Sequence, residues 1–229
     1  MALVGALQSL RSLRRRLPWA LGFMLQIAPY AQYVEWLRQR VHELPLPGTI
    51  RVKAAAACQA IAQEHHHSII LLIEHQLKAS AFALIRPAFE SYVRGEWLAR
   101  CATDAEVESF AKNVDPPSIG ALLIMLEAHP AFSQGVLSRI KRAHWNALCS
   151  YTHTGGLHVQ RWVTSEAIES NYLPGEVLGA IQLAEMIATM SVIALANLAD
   201  NEQLALEVLQ EIKRRAKNDP SIATEADDV

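Results

Sequence analysis

Two long helical segments follow one another almost without a break in residues 52–102 of this chain. Residues 52–76 contain neither Gly nor Pro and are rich in Ala, Leu, Ile, Gln and Glu, which lose little entropy in a helix. In residues 81–102, large apolar side chains recur at spacings of three and four, the period of one buried helical face. These side chains are Phe82, Ile85, Phe89, Val93 and Trp97. We therefore predict two adjacent helices joined by a short connection at residues 78–80.

The remaining chain also has the pattern of a helical protein. Groups of turn-forming residues, each with a Pro or a Gly, interrupt it at residues 115–117, 129–130, 154–156 and 173–175. Helical segments are predicted at residues 119–128, 133–151, 176–199 and 202–217. No stretch alternates with the period of a β-strand. We expect an all-α fold, a single bundle of roughly seven helices.

We expect three parts along the chain. Residues 1–48 form a basic and apolar helical extension, residues 49–217 form the helical bundle domain, and residues 218–229 form a mobile acidic tail. The extension contains Arg14-Arg15-Arg16 followed by an uncharged stretch, an order that export signals and membrane spans share. Prolines and glutamines interrupt this stretch, which barely reaches the minimum of about 18 residues for a span. We expect a peripheral helix and no stable membrane span, with a signal-type cleavage site as the alternative.

Composition and charge narrow the class of protein. The chain is 51% hydrophobic, which excludes a disordered or collagen-like protein. Its formal net charge of -2 gives no global basic field, so any contact with nucleic acid requires a local patch. The three cysteines, Cys58, Cys101 and Cys149, are far apart and form neither a disulfide framework nor a metal-binding pair. We expect a cytoplasmic protein.

A histidine-rich segment is the first candidate site. Glu64 and His67 have the spacing with which one helix presents two ligands to a metal in a four-helix bundle. A di-iron bundle repeats this motif on a second helix, and no second copy follows His67. His65, His66 and His67 point in three directions around a helix, so at most two face any one site. We expect no metal and no other cofactor.

Charged residues along the second long helix are a stronger candidate. Arg86, Glu90 and Arg94 recur every four residues in an otherwise apolar segment. Such a stripe is either a solvated face with ion pairs or a polar seam within a bundle. Pro87 lacks an N–H group, so it leaves the carbonyl group of Ala83 without its usual donor and kinks the helix beside Arg86.

The pairing of the two long helices suggests which side chains meet. If the chain turns near Ala79, Glu64 lies opposite Arg94, and His67 lies opposite Glu90 to within one turn. Each of these pairs is of opposite or complementary character. The predicted seam therefore includes His67 and Arg94 as binding residues.

The end of the helix at residues 133–151 is the third candidate. His153 is expected in the final helical turn, where the helix dipole favours a cation, with Gly155 as the left-handed residue that ends the helix. An imidazole in this place can act as an acid or a base near neutral pH, or it can cap free carbonyl groups. Tyr151 and His158 bring further polar groups to the same turn and are predicted binding residues. We predict that His67, Arg86, Glu90 and His153 form one cluster.

Several motifs resemble a family of uncharacterised bacterial helical proteins. They are RPAFE at residues 86–90, YVRGEWL at residues 92–98 and YTHTGG at residues 151–156. A more distant likeness is to HEPN domains, helical bundles that often dimerise, many of which cut RNA in toxin or phage-defence systems. The resemblance implies a homodimer, an RNA substrate, an antitoxin or other protein partner, and an RNase site made of an Arg and a His near a helix end.

This chain departs from that pattern because no arginine lies at the expected distance before His153. The nearest upstream arginine is Arg142, and the pair Arg139 and His144 lies in the middle of its helix. An RNase site here needs Arg86 from the neighbouring helix. The first hypothesis is therefore a metal-independent ribonuclease with Arg86, Glu90 and His153 as catalytic residues. The second is a non-catalytic helical module that binds a small ligand or a protein partner in the polar seam.

Overall fold

The computed structural model describes residue 22 and residues 25–218. The Arg14-Arg15-Arg16 run and residues 219–229 of the expected acidic tail lie outside the described residues. Within the described part the chain is helical, with one isolated β-bridge between Val163 and Ile168 and no strand. The predicted all-α class is confirmed.

The helices are labelled in chain order. They are α1 over residues 25–41, α2 Ile50–Glu74, α3 Lys78–Arg100, α4 Asp104–Ala111, α5 Ile119–Glu127, α6 Val136–Thr152, α7 Gly156–Gln160, α8 Pro174–Leu198 and α9 Glu202–Asn218, with a 3-10 turn at Pro130–Phe132. The short helices α4 and α7 were not predicted. The start of α4 has a sequence signature nevertheless, because Thr103 and Glu106 form a capping box in which each side chain bonds the backbone of the other.

The helical hairpin of α2 and α3 is the centre of the fold. Gln76 adopts a left-handed backbone with φ of 62°, and α3 starts at Lys78, before the expected position. Gln59 Nε2 donates to the Tyr92 carbonyl oxygen at 3.3 Å, and Arg51 Nη1 donates to that of Leu98 at 2.7 Å. These bonds fix a register different from the predicted one. The predicted pairing of Glu64 with Arg94 was therefore wrong.

The helix α8 packs against this hairpin and completes the core. The hydroxyl group of Ser191 donates to the Gln59 carbonyl oxygen at 3.0 Å, and Gln63 Nε2 donates to the Ala188 carbonyl oxygen at 2.5 Å. Among the described helices, α8 alone has the length and apolar composition of a membrane span, and 61% of that apolar window is buried in the protein. Core helices of soluble proteins have the same properties.

Helices α1 and α9 pack on α8 around a buried ion pair. Arg215 Nη2 contacts both carboxylate oxygens of Glu185 at 2.7 Å, and each side chain is 10% exposed. The Arg215 guanidinium carbon lies 4.0 Å from the centre of the Tyr33 ring, and the Tyr33 hydroxyl lies 3.0 Å from that of Thr189. This network joins α1, α8 and α9.

Candidate functional site

The charged stripe of α3 forms a bridged set of ion pairs. Arg86 Nε donates to Glu90 Oε1 at 2.7 Å, and Arg94 Nη2 donates to Glu90 Oε2 at 2.9 Å. The side chains of Arg86, Glu90 and Arg94 are 20%, 14% and 31% exposed, so the stripe is neither fully solvated nor fully buried. Glu90 thus orients both guanidinium groups, and the three residues together carry one positive charge.

His153 approaches this stripe from the end of α6. Its Nε2 atom lies 2.5 Å from Arg86 Nη1. Because a guanidinium group can only donate, Nε2 accepts the hydrogen bond, which corresponds to a neutral imidazole with its proton on Nδ1. The His153 side chain is exposed, so this contact lies at the protein surface. The structure therefore brings Arg86, Glu90, Arg94 and His153 together, and their functional roles stay predictions.

Pro87 leaves free a carbonyl group of α3 that bonds to α6. Pro87 lies inside α3 and lacks the N–H group that would bond the Ala83 carbonyl oxygen. The hydroxyl group of Thr152 donates to this oxygen at 3.3 Å. Because Thr152 immediately precedes His153, this bond attaches the end of α6 to α3 beside Arg86.

The turn after His153 differs in one respect from the prediction. The left-handed residue is Thr154, with φ of 54°, whereas Gly155 has φ of -73° and precedes α7. Gly155 is needed for space, since a Cβ atom there would lie 2.7 Å from Ser150 Oγ and 3.0 Å from Ser150 Cα. The Oγ atom of Ser150 in turn accepts from the backbone N–H of Leu157 at 3.1 Å. A left-handed β-branched residue is unusual and strained.

An aromatic and basic surface adjoins the site on α6. The Arg86 guanidinium carbon lies 4.7 Å from the centre of the Trp145 ring, and Lys141 Nζ lies 5.4 Å from it. In its 17 residues α6 carries Arg139, Lys141, Arg142 and His144 and no acidic residue. Sequence reasoning missed Trp145 and Lys141 as parts of the site, although their spacing of four residues is the usual signal of a shared helical face.

Tyr151 and His158 lie behind the site, in an aromatic cluster with Phe82 and Tyr172. Their ring centres are 5.4 Å apart at an interplanar angle of 81°, and Phe82 contacts Tyr151 edge-on at 4.9 Å. Both residues are buried. Burial raises the pKa of Tyr151, and the nearby Glu176 raises it further. The structure thus places these two predicted binding residues in the core.

His67 is separated from the other predicted members of the cluster. It is half-buried on α2 and forms no hydrogen bond or ion pair with Arg86, Glu90 or His153 among the described residues. Its charge instead acts on Glu35 of α1, whose pKa is lowered mainly by hydrogen bonds from Gln39 and Arg38 and least by His67. The register of α2 against α3 explains this, because it differs from the register that would place His67 opposite Glu90.

Within residues 22 and 25–218, no three His, Cys, Asp or Glu side chains lie close enough to hold a metal ion. Glu64 and His67 therefore lack the further ligands that a metal site on α2 would need from these side chains. The chemistry available at the end of α6 is that of a guanidinium group, a carboxylate and an imidazole.

Comparison with known proteins identifies a family. A family model described as a family of unknown function (DUF6988) matches residues 59–218, a range that contains both α3 and α6. No curated protein and no solved structure matches the chain at a significant level. The match agrees with the resemblance to an uncharacterised family and includes every residue of the candidate site. The chain belongs to this family of unknown function.

Proposed function

We propose that this protein is a metal-independent, HEPN-like endoribonuclease whose site lies between α3 and α6. The contact of 2.5 Å between Arg86 Nη1 and His153 Nε2 carries the proposal, because it supplies from two helices the Arg and His pair that HEPN nucleases have on one. Glu90 holds Arg86 in position through its own ion pair. An exposed imidazole beside a fixed guanidinium group suits acid-base chemistry on a phosphate ester.

The proposed reaction uses the 2'-hydroxyl group of RNA as the nucleophile. The bound phosphate draws Arg86 toward its oxygens and frees His153 Nε2, which takes the proton of the 2'-hydroxyl group. The 2'-oxygen attacks phosphorus and the bond to the 5'-oxygen breaks, with a proton passing from the imidazolium or from water to the leaving oxygen. The products are a 2',3'-cyclic phosphate and a 5'-hydroxyl end. Arg86 stabilises the additional negative charge on phosphorus-bound oxygens.

The surface around the pair supports an RNA substrate. Helix α6 has four basic residues and no acidic one, which provides a local positive patch on a chain of net charge -2. Arg139 and Arg142 are exposed on this helix. Toxicity, phage defence, an antitoxin partner and homodimerisation belong to the same proposal through the HEPN likeness.

A second candidate function is non-catalytic binding of a small anion or a protein partner in the same seam. The observation that favours it is the hydrogen bond itself, because Arg86 already occupies the imidazole nitrogen that a general base requires. The seam then consists of Arg86, Arg94 and His153, without His67. Such a module binds its ligand and releases it unchanged.

The two functions differ in what happens to RNA. Purified protein is incubated with single-stranded RNA, and the products are analysed by mass spectrometry for 2',3'-cyclic phosphate ends. We expect cleavage by the natural chain and a loss of about 100-fold or more in His153→Ala and Arg86→Ala. The matched controls His42→Ala, in the turn after α1, and Arg214→Ala, on α9, change exposed side chains away from the site and leave cleavage intact.

Overexpression in bacteria gives the second arm of the test. The ribonuclease hypothesis expects slow growth with the natural chain and normal growth with either site variant. Intact RNA together with equal growth of all strains would exclude the ribonuclease and leave the binding module.

A further inference from the structure

A second polar stripe of α3 lies beside a cleft that the proposed ribonuclease site does not use. Glu96 and Arg100 face this cleft together with Gln59 of α2 and Asn197 of α8. Its volume is about 150 Å³, and Ala99 and Leu198 provide apolar wall. The cleft therefore lies where α2, α3 and α8 meet, with polar groups from all three helices.

Glu96 is the most unusual residue of this cleft. It is only 3% exposed, and Arg100 Nε donates to its Oε2 atom at 2.5 Å. In the part of the chain that the structure describes, no other hydrogen-bond donor contacts this carboxylate. A buried carboxylate is stable only when several donors satisfy its lone pairs, so Glu96 has capacity for a further partner.

Gln59 adds a buried polar side chain beside the cleft. Its Nε2 atom is bonded to the Tyr92 carbonyl oxygen, while its buried Oε1 atom has no partner among the described residues. Gly95 makes room for this side chain, since a Cβ atom at Gly95 would collide with Nε2 and lie 2.9 Å from Cδ. The amide is therefore held in one place against α3.

Arg100 provides the opposite charge with its fork of donors. Its Nε atom contacts Glu96, and its guanidinium carbon lies 5.7 Å from the centre of the Phe132 ring. Neither Nη atom forms a hydrogen bond with a described residue. A guanidinium group whose two Nη atoms are available can donate hydrogen bonds to the oxygens of a carboxylate.

We propose that this cleft binds a small α-amino acid as a zwitterion, with its ammonium group on Glu96 and its carboxylate on Arg100. The Glu96–Arg100 pair has no net charge, so a purely cationic ligand would meet Arg100 and a purely anionic one would meet Glu96. A zwitterion satisfies both charges with charge-assisted hydrogen bonds. The ammonium group has three donors and can bond the carboxylate oxygens of Glu96. The apolar wall and the volume fit a short side chain such as that of alanine.

A matched set of three probes tests the proposal on the full chain. Alanine carries both charged groups, propionate lacks the ammonium group, and ethylamine lacks the carboxylate. Titrations followed by backbone amide signals of Glu96, Arg100 and Asn197 give the dissociation constants. We expect alanine to bind at least about tenfold more tightly than either half-molecule, as the loss of one charge-assisted contact implies. Equal affinities for the three probes, or no response to any of the twenty amino acids, would overturn the proposal.

Two variants at the less buried edge of the cleft test the binding residues. Arg100→Gln removes the guanidinium group that the ligand's carboxylate would bind. Asn197→Asp adds, at an exposed position, a negative charge that repels the ligand's carboxylate. Both are expected to weaken alanine binding about tenfold or more. The control Glu108→Gln, which removes an exposed carboxylate from α4, leaves the affinity unchanged. Folded variants that bind alanine as well as the natural chain would contradict the assignment.

Discussion

The hydroxyl group of Thr152 donates a hydrogen bond to the carbonyl oxygen of Ala83, although the two residues lie on different helices. In a regular helix this oxygen would accept from the backbone N–H of residue 87, which is a proline here. A hydrogen bond that α3 cannot make within itself thus joins it to α6. The position of His153 depends on this link because His153 is the next residue of the chain.

Replacing Thr152 tests the link directly. Thr152→Val keeps the shape of the side chain and removes the donor, leaving the Ala83 carbonyl group unpaired in a partly buried place. We expect a loss of about 1–3 kcal/mol in the free energy of unfolding, measured by urea denaturation. In a Pro87→Ala background the restored N–H group donates to the Ala83 carbonyl oxygen. The same substitution should then lower the free energy of unfolding clearly less. An equal cost in the two backgrounds would show that Thr152 acts through something else.

Replacing Glu90 tests the bridged ion pairs. Glu90→Ala leaves Arg86 and Arg94 partly buried without their shared carboxylate. Exposed ion pairs contribute about 0–1 kcal/mol, and breaking a buried pair costs about 3–5 kcal/mol, so we expect a value between these limits. The control Glu108→Ala removes a carboxylate that is 62% exposed and lies 3.8 Å from Lys112. Its effect should stay within about 0.5 kcal/mol. Equal melting temperatures for the natural chain and Glu90→Ala would contradict the expected role of Glu90.

The buried imidazole of His66 should make stability depend on pH. It is 1% exposed, neither ring nitrogen has a partner among the described residues, and burial lowers its pKa to about 3. The unfolded chain, with a histidine pKa of about 6.5, therefore binds a proton more readily than the folded one. The stability that the folded chain has with His66 neutral is therefore fully present above about pH 6.5. It is lost as the pH falls toward the folded-state pKa of His66.

The variant His66→Leu isolates this effect from the titration of the carboxylates. It fills the site with an apolar side chain and removes the proton-binding group, so we expect equal or greater stability at pH 7. Between pH 6.5 and pH 4 the natural chain should lose about 2–3 kcal/mol relative to the variant. Parallel stability curves in urea across this range would show that His66 does not titrate in this way.

The adjacent glycines of the turn make a matched pair. Gly155→Ala brings a Cβ atom against the backbone and side chain of Ser150, and overpacking of this kind typically costs about 1–3 kcal/mol. A Cβ atom at Gly156 meets nothing within 4 Å at the first position of α7. Gly156→Ala should therefore be neutral or stabilising by up to about 1 kcal/mol in thermal unfolding. Equal effects of the two substitutions would contradict the spatial role of Gly155.

Local patterns allowed correct predictions at particular places in the fold. The contacts of Glu90 with Arg86 and Arg94 follow from the geometry of a single helix, in which side chains four residues apart are neighbours. The unpaired carbonyl group of Ala83 follows from the chemistry of Pro87 alone. The partner that satisfies it, Thr152, lies 69 residues away and is determined by how α6 packs on α3. No local pattern contains that information.

The errors arose where small local differences have large consequences. The chain turns at Gln76 and not at Ala79, which shifts the pairing of α2 with α3 and separates His67 from the predicted cluster. Tyr151 and His158 are polar enough to suggest a binding surface, but Tyr151 packs against Phe82 and His158 packs against Tyr151 in the core. The Glu96–Arg100 pair has the same spacing as Arg86–Glu90 and was not recognised, because burial distinguishes the two pairs and spacing does not.

The order of the helices along the chain has a consequence for synthesis. Helix α8 is a 25-residue apolar segment that would associate with other apolar surfaces if it stayed uncovered. The α2–α3 hairpin, which covers much of it, precedes it in the chain and can fold from local contacts before α8 leaves the ribosome. Among the described helices, the one with the length and apolar composition of a membrane span is therefore made only after the hairpin that covers it.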